Sequence, residues 1–270
     1  MIDNHPIDDA VRDEIVRRLS QIEATHDVRV LYACESGSRG WGFASPDSDY
    51  DVRFLYVPRL SWYLQVSVQR DVIEVPISGD LDINGWELRK ALGLLKKGNA
   101  TLIEWLDSPV VYRADADFLE AIRDAARQTH RAERSFHHYV HMARRNYREY
   151  LLGGSVRLKK YLYVLRPLLA TLWIEQGRGV APMRFQDLVD VCVIDPGLRD
   201  SIDQLLAIKR AVTESEYGKP FPIINAFIDS ELTRLEKVQP LATRDTDFAV
   251  LNVLLMETVL RFDRVGKGAS

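Results

Sequence analysis

The chain has 270 residues, 46% of them hydrophobic and 28% charged, with a net charge of −3. That is the composition of a globular protein, long enough for one large domain or two of ordinary size. No apolar run is long enough to cross a bilayer, the N-terminus lacks a signal-peptide pattern, and Cys34 and Cys192 make neither a disulfide framework nor a zinc cluster, so a cytoplasmic protein without membrane association is expected.

Pro6-Ile7-Asp8-Asp9 suits a helix start with acids in the first turn. Val11, Ile15, Leu19 and Ile22 follow at helical spacing and predict an amphipathic helix over 7–24. Val28–Cys34 is rich in β-formers and predicts a buried strand, ending at the Gly37-Ser38 turn. About a dozen residues on, Asp49 and Asp51 open the apolar run 52–57, a second strand. Residues 60–66 suit a short helix or a loop, 71–77 a strand and 80–83 a short extended piece. Asn84-Gly85 is expected to break the chain before a helix over 85–96, and a helix over 99–107 precedes a strand at 109–112.

From Asp117 the pattern becomes helical: 117–128, 131–152, 155–176, 184–192, 197–215, 220–238 and about 245–262. Strands followed by helices predict an α+β protein. The expected division is a small mixed sheet with helices over 1–115 and a helical bundle over 116–270. From Arg127 to Arg166 ten Arg or Lys face two Glu, a net of +8, so the rest carries −11. A basic middle segment points to an anionic partner. Solvated helix faces would leave the same pattern.

The chemistry concentrates at residues 37–51. Residues i and i+2 of a strand share a face, so Asp49 and Asp51 are expected to converge. Hard divalent cations take carboxylates together with substrate phosphates, and a glycine-rich turn offers backbone N–H groups to a phosphate. Asp-x-Asp alone is also a common turn; the Gly-Ser pair, the spacing and the flanking strands together make metal-dependent chemistry on a nucleoside triphosphate the better reading. No P-loop, dinucleotide fingerprint or Gly-x-Ser-x-Gly is present. His137 and His141 lack a third ligand at a recognisable spacing and read as a helix face, and Trp86, Trp105 and Trp173 read as core.

The order helix, strand, Gly-Ser turn, Asp-x-Asp strand resembles the polymerase β-like nucleotidyltransferase superfamily. Three stretches, 35–53, 81–90 and 159–168, with Glu104-Trp105-Leu106-Asp107-Ser108-Pro109, resemble its RlaP or YcgL-like branch, associated with bacterial RNA-repair ligases. The resemblance spans about the first two thirds of the chain. It implies Asp49 and Asp51 as metal-binding catalytic residues and phosphate contacts at Gly37 and Ser38. It also implies a third carboxylate, for which Asp82 sits at the family's position; Glu74 is the main rival and Asp80 a second. Arg39 is expected, from proximity, to add charge to the same pocket.

On a helix Lys159, Tyr163 and Arg166 share a face, with Lys160 on the next stripe. That face is expected to meet the triphosphate or an RNA backbone across the cleft, although packing with the cations reaching solvent would use the same residues. Together these features predict a Mg²⁺- or Mn²⁺-dependent transferase moving a nucleoside monophosphate from an NTP to a hydroxyl. An RNA 3′ end in RNA repair is the leading acceptor, with an RNA ligase as a functional partner. A protein or small-molecule hydroxyl, or a silent nucleotide- or RNA-binding module, are the alternatives.

Overall fold

The computed structural model describes residues 7–153, 156–211, 217–238 and 246–267. Asp8 caps α1 (Asp9–His26), its carboxylate accepting the Ala10 N–H at 2.8 Å, and Ile15, Leu19 and Ile22 form the buried stripe. There follow β1 (Val28–Glu35), α2 (Gly37–Trp41), β2 (Tyr50–Pro58), α3 (Leu60–Tyr63), β3 (Val72–Glu74), β4 (Leu81–Glu87), α4 (Leu88–Lys96), α5 (Ala100–Leu106) and β5 (Val111–Ala114). The five strands form one sheet in the order β3-β4-β2-β1-β5. β2 and β4 run parallel and the other pairs antiparallel.

Asn84-Gly85 does not break the chain but lies inside β4. A Cβ on Gly85 would fall 2.2 Å from the Phe54 ring, so the glycine leaves room for a core aromatic rather than a turn. The helix therefore starts at Leu88. The Glu87 carboxylate caps it, accepting the N–H groups of Arg89 and Lys90 at 2.8 and 3.0 Å. The strand expected over 71–77 contracts to β3, and that expected over 109–112 moves to β5.

Period-2 alternation sorts the sheet into two faces. Val52, Phe54 and Tyr56 of β2 pack with Val30 and Ile83 against Ile15 and Leu19 of α1. Leu55 and Val57 point the other way, into a core with Leu88, Leu92 and Leu102 of α4 and α5 and with Ile122 of α6 (Ala116–Thr129). Asp51 and Arg53 share the parity of Leu55 and Val57. They lie at the N-terminal end of β2.

The helices continue with α7 (Ala132–Tyr150), α8 (Lys159–Glu175), α9 (Phe185–Cys192), α10 (Pro196–Ala211), α11 (Pro222–Arg234) and α12 (Ala249–Lys267). α8 starts later than expected because Val156–Arg157 instead pairs with Tyr217–Gly218 as a two-stranded ladder, β6 and β7. The expected helix ends at 212–215 and at 245 lie outside the described residues. α7 to α11 share a core around Leu162, Leu165, Leu168 and Leu169. α12 turns back, and its Leu251, Leu254 and Val259 join the core over the sheet. That face is thus covered by helices from both sides of residue 115. Among the described residues no helix is long and apolar enough to cross a membrane.

Candidate active site

β2 and β4 are parallel neighbours in a register that sets Asp51 directly opposite Asp82. Both are half-buried, at one end of the sheet. Asp49 stands one residue before β2 begins and is exposed, so it belongs to the loop that leads into the strand rather than to the strand itself. Asp80 is exposed, and its carbonyl accepts the Tyr50 N–H at 2.7 Å. Glu74 lies one strand further out, opposite Asn84, and pairs with Arg70.

The Gly-Ser pair forms the first turn of α2 rather than an open turn. Gly37 has φ +58°, and a Cβ there would lie 2.0 Å from Asp51 Oδ2. Only glycine lets the backbone come this close while holding a left-handed conformation. Gly40, one turn on, is pinned between the Glu35 carbonyl and the Met183 methyl, 2.8 and 2.5 Å from where its Cβ would be. Ser38 is buried.

Arg39 is also buried, and its donors go to the chain. Nη2 donates to the Ser48 carbonyl at 2.8 Å and Nε to the carbonyls of Ser48 and Asp49 at 3.3 Å, while the guanidinium lies 4.0 Å over the Tyr50 ring. Arg39 thus clamps the loop that delivers Asp49. From the helical half, buried Lys209 of α10 donates to the Ser45 and Ser48 hydroxyls of the same loop.

The α8 residues are split. Tyr163 packs edge-on against Trp41 of α2 at 5.4 Å, and the Arg166 guanidinium lies 4.9 Å over the same indole. Arg166 is 2% exposed and turns inward: Nη1 pairs with Glu104 Oε1 at 2.8 Å, and Nε and Nη2 donate to the Met183 carbonyl. The Tyr139 hydroxyl donates to the same Glu104 oxygen at 2.7 Å. Lys160 lies over the Tyr150 and Tyr163 rings at 4.0 and 4.8 Å, and Lys159 is half-buried at the start of the helix. The structure therefore brings Tyr163 and Arg166 to the Gly-Ser helix through Trp41. It separates Arg166 from the more accessible lysines. His137 and His141 are exposed.

Three residues of the site carried no sequence assignment. Glu35 ends β1 fully buried; Oε1 accepts the Asp51 N–H at 2.8 Å and Oε2 accepts the Tyr112 hydroxyl. Burial pushes its carboxyl up to about 7, partly offset by those two hydrogen bonds. A buried acid closing an apolar strand was the available signal. Arg53, two residues past Asp51, bonds both Asp51 and Asp82. Lys209 had no local signal. Replacing Glu35 by Ala is expected to cost about 2–4 kcal/mol in urea denaturation, because the Asp51 N–H and the Tyr112 hydroxyl lose their partner. Glu35→Gln, which can serve both, should stay within about 1 kcal/mol of wild type.

As donors, Asp49, Asp51 and Asp82 are hard oxygens of the type that binds Mg²⁺ or Mn²⁺, and the space under Gly37 keeps Asp51 accessible to the turn. Among the described residues no three acidic, His or Cys side chains stand assembled as a metal cluster. Between Asp51 and Asp82 lies the Arg53 guanidinium. The residues fit the ion in kind, with a cation of the chain's own between two of them.

A model of the RNA repair pathway DNA polymerase beta family, RlaP, matches residues 11–257. The uncharacterized protein YcgL of Bacillus subtilis (strain 168) is 44% identical over 251 residues, covering 92% of this chain and 96% of its own. A nucleotidyltransferase-like protein from Exiguobacterium sibiricum 255-15, known from its crystal structure, aligns over 94% of this chain and 77% of its own. The identity is 15% and the TM-score 0.31, too loose a likeness to argue from. The family match runs from α1 into α12, through every segment that builds the carboxylate site: the chain belongs to the RlaP family, the RNA repair pathway DNA polymerase beta family.

Proposed function

We propose that the chain is a nucleotidyltransferase that moves a nucleoside monophosphate from an NTP to an acceptor hydroxyl. The observation that carries this reading is Asp51 set opposite Asp82 on parallel strands, with the glycine backbone of the Gly-Ser helix pressed against Asp51. Asp49, Asp51 and Asp82 would hold the divalent cation, Mg²⁺ or Mn²⁺. When bound, it would screen the phosphate charge and stabilise the attacking and leaving oxygens of an in-line displacement.

The chain's own groups supply the rest. The start of α2 presents backbone at Gly37 and Ser38, where the triphosphate would bind. Arg39 and Lys209 fix the loop that carries Asp49, and Glu35 fixes the Asp51 backbone. Buried donors and acceptors of this kind hold the carboxylates in place before substrate arrives, so little reorganisation is needed during transfer. Lys159 and Lys160, half-buried at the start of α8, are the cations of that helix that would meet an anionic chain.

An RNA 3′ hydroxyl is the acceptor we infer, and a repair ligase the functional partner. The family's RNA-repair description and the basic middle of the chain support this. The test offers each of four NTPs with a panel of RNA ends and identifies products by mass. An RNA extended by one nucleotide residue is expected from the wild type and not from Asp49→Ala or Asp51→Ala. Extension unchanged in those variants, or a product on a small molecule or protein alone, contradicts the reading.

A further inference from the structure

Asp51 and Asp82 face each other across adjacent strands, whose spacing is about 4.8 Å. Two carboxylates that close repel, and the sheet cannot spread to relieve them. Arg53 answers the problem from within the same strand. It stands two residues past Asp51, hence on the same face. Its Nη2 donates to Asp51 Oδ1 at 2.9 Å and to Asp82 Oδ2 at 2.8 Å, and its Nη1 to the carbonyls of Asp82 and Val52 at 2.9 and 3.1 Å. Asn84, two residues past Asp82, donates to the other Asp82 oxygen. Asp82 therefore has both oxygens engaged by neighbours that fix its rotamer. The Arg53 side chain is 17% exposed, so solvent does little to replace it.

We propose that Arg53 is the resident counter-ion of the Asp51–Asp82 pair and competes with the divalent cation for the space between them. This inference rests on the metal-dependent reading of the site given above. Nη2 bridges one oxygen of each carboxylate, as a shared cation would. A Mg²⁺ ion needs those oxygens at about 2.0–2.1 Å, closer than any N–H donor sits. An ion bridging both carboxylates would occupy the volume that Nη2 fills between them. Metal entry is linked to movement of Arg53 away from at least one aspartate, and Arg53 keeps the empty pair from splaying. Arg53 is accordingly a positioning residue. It sets how tightly the site takes its ion and what holds the site together without one.

The probe is Mn²⁺ alone, with binding followed by electron paramagnetic resonance and melting followed with and without the ion. Arg53→Met keeps the stem and removes the charge. Loss of a cation this near should tighten Mn²⁺ binding by about tenfold or more. Without metal the variant should melt below wild type, and Mn²⁺ should raise its melting point by more than it raises that of wild type. Arg53→Lys, which keeps the charge without the bridging fork, should fall between the two in affinity and guards against misfolding of the methionine variant. Equal or weaker Mn²⁺ binding in both variants, with Asp51→Asn and Asp82→Asn still abolishing it, overturns the counter-ion role and leaves the metal site standing. No Mn²⁺ binding to either the wild type or Arg53→Met overturns both.

Discussion

Gly37→Ala is expected to abolish nucleotidyl transfer and to lower stability by about 2–5 kcal/mol. Two penalties combine. An L-residue at φ +58° costs about 1–2 kcal/mol, and forcing an atom into packed space costs about 1–3 more. The atom it meets decides the functional outcome: the new methyl would fall 2.0 Å from Asp51 Oδ2. Either the carboxylate swings away from Asp82 or the α2 backbone retreats, and each separates the Gly37-Ser38 turn from the acids. Gly42→Ala is the matched control. It shares a positive φ, +85°, but its Cβ meets nothing within 4 Å. It should show the backbone penalty in urea denaturation and keep its transfer activity.

The second large effect lies at the buried Arg166–Glu104 pair. Arg166→Met should destabilise the protein by about 3–5 kcal/mol, because Glu104 is left charged and buried without its cation. Glu104→Leu combined with Arg166→Met removes both charges and should recover much of the loss, at the residual cost of the Tyr139 hydroxyl and the Met183 carbonyl. The pair joins α5 to α8 beside Trp41, so its expected part in catalysis is to brace α2. The double variant should keep its KM for NTP within about twofold, whereas a side chain that touches the triphosphate would lose several kcal/mol of charge-assisted bonding. A KM raised by orders of magnitude in a stable double variant would make Arg166 a phosphate ligand.

These residues show where sequence patterns reach and where they stop. β2 was legible as an apolar run opened by Asp51, but Asp49, expected to share its strand face, lies one residue before the strand begins. The partner strand was not legible: β4 pairs with β2 in parallel across an intervening helix and strand, and no local pattern encodes that choice. Without it, Asp82 depended on resemblance, and Arg53 had no visible target. Helical spacing put Lys159, Tyr163 and Arg166 on one face of α8, but Arg166 is buried away from the lysines. Spacing cannot show that a carboxylate on another helix waits in the core, and that carboxylate turns the guanidinium inward. Gly85 failed for the opposite reason, because a strong local turn signal yielded to the volume of Phe54. Lys209 lies in another part of the chain from Ser45, and only the tertiary fold brings them together.

Transfer of a nucleoside monophosphate with loss of pyrophosphate is distinguished from other phosphate chemistry by the position of a label. Wild-type protein is incubated with an RNA end, Mg²⁺ and NTP labelled at either the α- or the γ-phosphate. The α-label is expected to join the RNA and the γ-label to leave as pyrophosphate, and Asp51→Asn and Asp82→Asn are expected to give neither. Transfer of γ-label to the RNA, or α-label incorporation undiminished in both variants, would contradict nucleotidyl transfer at these aspartates.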